Sequence, residues 1–136
     1  MNRKKLIKVV ISLILGIFLV NFLANKFYWY STIWYFDMIM HFLGGLWIGL
    51  IFIYAFPPKD HSMSFILRTM LFVLFIGVSW ELYEVLVNGV LAKDVFNSLD
   101  TISDIFFDLA GGFLAVLYFL RKIVLTSQNE VQLNNV

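Results

Sequence analysis

Four long apolar runs, separated by short polar or aromatic breaks, set the pattern of this chain. The first extends from Leu6 to about Ala24 and is interrupted only by Lys8 and Asn21. The second opens at Asp37 and stops at Phe56-Pro57-Pro58. The third covers about Phe65 to Val87 and the fourth about Thr101 to Leu120. About 20 apolar residues cross the hydrocarbon of a bilayer as a helix, so each run predicts a transmembrane helix. Paired prolines cannot continue a helix, which fixes the end of the second. The expected fold is all-α: one four-helix transmembrane bundle over residues 1–125, with helices at about 6–24, 38–56, 65–87 and 101–120. A polar, frayed C-terminal tail is expected over residues 126–136.

The breaks carry the orientation. Met1-Asn-Arg-Lys-Lys5 precedes the first run, and a basic flank of that kind also marks a secretory signal peptide. The apolar run is too long for one, and Phe22 is ill placed for a small-residue cleavage site, so a retained helix is expected. Phe27-Tyr-Trp-Tyr30 and Trp34-Tyr-Phe36 form an aromatic girdle of the sort that collects at a membrane–water interface. Of the 10 basic residues, only Lys26 and Lys93 lie in the two loops on that side. The others fall in the N-terminal flank, the Lys59–Arg68 turn and Arg121-Lys122, which the positive-inside rule assigns to the cytoplasm. Both termini are therefore expected inside, with the aromatic loop and the Asn88–Leu99 loop outside.

Composition narrows the function classes. Hydrophobic residues make up 61% of the chain and charged residues 14%, with mean hydropathy +0.86, too apolar for a soluble domain. The absence of cysteine excludes disulfides, thiolate metal sites and cysteine nucleophiles. There is no nucleotide-binding glycine loop, serine-nucleophile elbow or His-Glu-x-x-His zinc motif. The expected partners are the lipid bilayer and a lipid or envelope substrate, not nucleic acid.

What remains is a set of ionisable groups inside the apolar runs. Asp37 and His41 are spaced i, i+4, Glu81 and Glu84 i, i+3, and Asp104 and Asp108 i, i+4, so each pair shares a helix face. Counting 1.5 Å per residue from the basic ends puts His41, Glu81, Glu84, Asp104 and Asp108 about 20–26 Å up, in the outer third of the bilayer. Gly44-Gly45, Gly111-Gly112 and Gly77 lie about one turn below, where small residues let helix backbones approach, and Gly45-x-x-x-Gly49 fits the same role. The segments Asp37-x-x-x-His41-x-x-Gly44-Gly45 and Asp104-x-x-x-Asp108-x-x-Gly111-Gly112 also read as a short internal repeat, which equates the depth of His41 with that of Asp108.

Structural roles compete at several of these positions. Asp37 and Asp100 begin helices, where aspartate caps the backbone and meets the dipole favourably. Thr101-x-x-Asp104 has the spacing of a capping box. His41 alone could be a hydrogen-bonded core histidine, and His61 belongs to a solvated turn. Asp108 and Glu81 lie too deep to cap anything. Uncompensated carboxylates in low dielectric must share protons, meet water or bind a cation. With one imidazole they form a hard ligand set for Mg, Mn, Ca or Zn.

Taken together, Asp37-x-x-x-His41-Phe42, Glu81-x-x-Glu84, Asp100-Thr101-x-x-Asp104 and Asp104-x-x-x-Asp108-x-x-Gly111 resemble the YjdF-type bacterial inner-membrane proteins. More distantly, the chain is similar to the VanZ-like family linked to teicoplanin resistance. VanZ-like sequences tend to carry Gln at the Glu84 position, Asn at the Asp108 position and an Arg before the last helix, none of which is present here. The resemblance implies a small multi-pass inner-membrane protein and names no reaction. Three readings of the site follow. One is a divalent-metal-dependent enzyme acting on an envelope lipid or lipid-linked substrate, with His41, Glu81, Asp104 and Asp108 as ligands and Glu84 and Glu81 as catalytic carboxylates. In this reading Asp37, Asp100, Gly44, Gly45, Gly111 and Gly112 are supporting residues. Another is a non-catalytic envelope or antibiotic-resistance accessory protein binding a cation or cationic group. The third is a cation or proton transporter, which the apolar inner half of the helices does not favour.

Overall fold

The computed structural model describes residues 3–57, 62–87, 89 and 97–134, with side chains of the last helix described as far as Arg121. His61, Lys59, Lys93 and most of the Asn88–Leu99 loop lie outside the described residues. Helix α1 spans Arg3–Lys26, α2 Trp29–Thr32, α3 Phe36–Ala55, α4 Met63–Val87 and α5 Ser98–Asn134. Four of these are long and apolar enough to cross a membrane: α1, α3, α4 and, in α5, the stretch Ser98–Arg121. The all-α expectation holds.

The helix ends follow local chemistry. Pro57 stops α3 one residue after Phe56, whose amide still donates to the Phe52 carbonyl at 2.8 Å. Ser62 caps α4, its Oγ accepting the Phe65 amide at 3.3 Å, and Asn97 caps α5 by accepting the Leu99 amide at 3.2 Å. Asp37 and Asp100 are consequently first-turn residues and not caps. The capping-box reading of Asp104 fails too, because α5 starts three residues earlier than the expected Thr101. No glycine or proline follows Gly112, so the backbone of α5 continues to Asn134 where fraying was expected from Thr126.

Helix α3 is the centre of the bundle and packs against α1, α4 and α5. Helices α3 and α5 run parallel, since Gly45 lies against Asp108 and Gly49 against Ala115. Helix α4 runs antiparallel to both, with Gly77 facing Asp108 and Val73 facing Gly112. The α3–α5 contact is backbone on backbone. A Cβ on Gly45 would strike the Asp108 carbonyl, and one on Gly111 would strike the Phe42 carbonyl. Such close approach replaces the hydrophobic drive that lipid does not supply.

The two ends of the bundle differ in chemistry. Leu6, Val10, Leu50, Ile53, Phe65, Ala115 and Phe119 fill the end near the start of α1. Buried polar groups at this level are satisfied locally. Trp47 Nε1 donates to the Val10 carbonyl at 3.1 Å, tying α1 to α3, and Thr69 Oγ1 donates to Phe65 at 3.0 Å. At the other end the aromatic girdle folds into α2, entered through Tyr28 in the left-handed region (φ 57°). The Tyr28 carbonyl accepts from both Ser31 Oγ and Thr32 Oγ1 at 2.9 Å, which holds an otherwise unfavourable tyrosine conformation. Trp29 and Tyr30 pack edge-on against Phe36 and seat α2 on the start of α3.

Leucine at Gly45 or Gly111 should separate α3 from α5 and destabilise the detergent-solubilised protein by about 1–3 kcal/mol or more, as overpacked cores do. Leucine at Gly16, where a Cβ meets nothing within 4 Å, should leave thermal unfolding unchanged.

Candidate functional site

The α2 end of the bundle holds the ionisable groups. The N-terminal parts of α3 and α5 bring Asp37, His41, Asp104 and Asp108, and the C-terminal part of antiparallel α4 brings Glu81 and Glu84. His41 is the hub. Its Nδ1 lies 3.3 Å from Asp108 Oδ2, and its Nε2 lies 3.7 Å from Glu81 Oε1, 3.9 Å from Glu84 Oε2 and 3.9 Å from Asp37 Oδ1. Asp104 completes the ring, with an oxygen within 4.8 Å of ligand atoms of both Asp37 and His41.

Burial is graded across the site. His41, Glu81, Asp104 and Asp108 are only 5%, 6%, 3% and 4% exposed, whereas the Asp37 and Glu84 side chains retain 37% and 35%. The first four form a floor and the last two a mouth. Asp100 is exposed and makes none of the contacts with His41. The glycines set the shape. Gly77 leaves room for the Asp108 carboxylate, since a Cβ there would sit 2.6 Å from Oδ2, and Gly44 faces Asp108 Oδ1. Gly45 and Gly111 hold α3 against α5, while Gly112 admits Val73 of α4.

The polar accounting is incomplete in one specific way. Glu81 Oε1 and Asp104 Oδ1 are buried without a hydrogen-bond partner. A buried unpaired carboxylate oxygen is expensive, and a shared proton, a water or a bound cation satisfies it. None of the ion pairs among the described residues brings a Lys or Arg to the cup; all involve His41. The Nδ1 edge of His41 meets Asp108, and its Nε2 edge faces Glu81, Glu84 and Asp37. Two sets of three residues have the spacing to hold a metal ion: Asp37, His41 and Asp104, and His41, Glu81 and Glu84.

The residues singled out in the sequence thus converge, Asp100 excepted. Tyr30 was not among them. Its hydroxyl donates to Asn21 Oδ1 at 2.8 Å, and Asn25 also donates to that oxygen at 3.3 Å, joining α1 to α2. Burial first, and then the charges of Asp37 and Glu84, push the Tyr30 phenol up to about 12. Tyr30 is therefore a neutral side chain beside the mouth. The i, i+4 spacing of Asn21 and Asn25 next to an aromatic loop was the available signal.

No curated protein and no solved structure matched the chain. A family does match, over residues 1–123, and its span covers all four apolar helices and every residue of the cup. The chain belongs to the YjdF-like family described as Predicted membrane protein (DUF2238).

Proposed function

We propose that the cup binds a divalent metal ion and uses it to act on a phosphate-bearing envelope lipid or lipid-linked substrate. The pair of buried, unpartnered oxygens, Glu81 Oε1 and Asp104 Oδ1, carries this reading. They flank an imidazole whose Nε2 edge faces Glu81, Glu84 and Asp37 and whose Nδ1 edge meets the Asp108 carboxylate. An Asp–His pair of this kind orients a histidine toward a metal and raises its basicity. The proposed ligands are His41 with Asp104 and Asp37 from one three-residue set and Glu81 from the other. Asp108 lies outside both three-residue sets and takes the orienting role.

The ligand set is hard, with one nitrogen among oxygens, which suits Mg, Mn or Zn. When bound, such an ion polarises a phosphoryl oxygen or lowers the pKa of a water. Glu84, half-exposed at the mouth, is placed to take a proton from an incoming hydroxyl or water. Tyr30 offers a neutral hydrogen-bonding group beside it. Charge distribution supports a cup that opens away from the cytoplasm at the outer face of a bacterial inner membrane, within reach of the headgroups of that leaflet. A through-route for ions has less support, because the far half of the described bundle is filled by Leu50, Ile53, Ala115 and Phe119. A metal-binding protein without turnover is the other outcome of the tests.

Three results are expected. Purified protein should carry Mn or Zn by elemental analysis and melt higher in the presence of the ion, by about 2.7 kcal/mol of stabilisation at a hundredfold excess over Kd. His41→Ala should lose both the metal and the shift. Phosphate release from lipid-linked phosphates should fall by about 10²-fold or more in Glu84→Gln, with at least one ion per chain retained; no release by the wild type would leave binding alone. Because the chain has no cysteine, single cysteines report orientation cleanly. A membrane-impermeant maleimide should label Leu99→Cys in intact spheroplasts and Met63→Cys only after lysis, both positions being exposed.

A further inference from the structure

We infer that the cup is built for two divalent ions and not one, an inference that rests on the metal-binding reading above. The acids gather around one imidazole, His41. They fall into two sets of three, Asp37–His41–Asp104 and His41–Glu81–Glu84, and within each set the ligand atoms lie within 4.8 Å of one another. The two residues that carry an unpartnered oxygen are divided between them: Asp104 belongs to the first set and Glu81 to the second. An ion held by one set alone leaves the other set's carboxylates without a cation.

Charge leads to the same conclusion. Asp37, Glu81, Glu84, Asp104 and Asp108 surround a single imidazole, and no Lys or Arg reaches them in the ion pairs among the described residues. A carboxylate that binds a cation does so without its proton, so five of them around one imidazole offer more ligand charge than a single divalent ion offsets. His41 Nε2 can bind only one ion at a time. The other position therefore relies on carboxylates. A pair of ions would also supply the positive charge on a phosphate that other sites obtain from Arg or Lys, clamping both the attacking and the leaving oxygen.

The test is ion stoichiometry on the full-length protein in detergent, with Mn(II) as the probe. Elemental analysis after removal of free ion should give about two Mn per chain. The electron paramagnetic resonance spectrum should be broadened by coupling between neighbouring ions. Asp104→Asn and Glu81→Gln, each disabling one set, should each fall to about one Mn and give the hyperfine pattern of an isolated ion. A wild-type ratio of one, with an uncoupled spectrum, overturns the second ion while leaving the metal-binding reading intact. A ratio of zero overturns both. The wild-type measurement decides the matter even where a variant fails to fold.

Discussion

The backbone contact between α3 and α5 is the constraint on which the rest of the molecule depends. Gly45 sits on the Asp108 carbonyl and Gly111 on the Phe42 carbonyl, so neither helix can shift without separating the other. Parallel helices this close put residues of equal depth side by side. His41 and Asp108 meet at 3.3 Å for that reason, and Asp37 and Asp104 fall into one set. In a bilayer this closeness has to come from small residues, since lipid tails solvate an apolar helix face as well as another helix does.

Helix α4 then closes the cup. Its antiparallel course brings Gly77 to Asp108 and Glu81 to His41, one helical turn apart. Gly77 has no chemistry of its own, yet the Asp108 carboxylate occupies the volume that a side chain there would take. The glycines nearest the cup thus have separate jobs: backbone contact at Gly45 and Gly111, space for a carboxylate at Gly77, and space for Val73 at Gly112. The result is a bundle with an apolar end and an acidic end. Trp47 and Thr69 are satisfied in the apolar end, while Glu81 and Asp104 are left open in the acidic one.

That contrast is the basis for a functional reading. A membrane bundle can satisfy a buried hydroxyl or indole with a nearby carbonyl, and this one does so repeatedly. It leaves two carboxylate oxygens unpaired beside a histidine whose other nitrogen is occupied. Ordinary packing has no use for that arrangement, but a cation does. Tyr30 and the aromatic α2 stand beside the half-exposed rim formed by Asp37 and Glu84.

Hydropathy and spacing alone determined the four spanning helices, the stop at Pro57 and the shared faces of Asp37 with His41, Glu81 with Glu84, and Asp104 with Asp108. These follow from local rules, namely the length needed to cross a bilayer and the 3.6-residue turn. The repeated Asp-x-x-x-(His/Asp)-x-x-Gly-Gly segments also anticipated that His41 and Asp108 share a level. The caps were misread, because Asn97 and Tyr35 precede the aspartates that looked terminal and a helix start shifts by a few residues without changing the apolar pattern. Only the tertiary structure decided which acids face the imidazole, that Asp108 takes Nδ1 while Glu81, Glu84 and Asp37 face Nε2, and that Asp100 makes none of these contacts. It also revealed Tyr30 and Asn21 beside the cup. Those outcomes depend on helix rotation and on close approach between segments far apart in the chain, and no local pattern in the sequence encodes either.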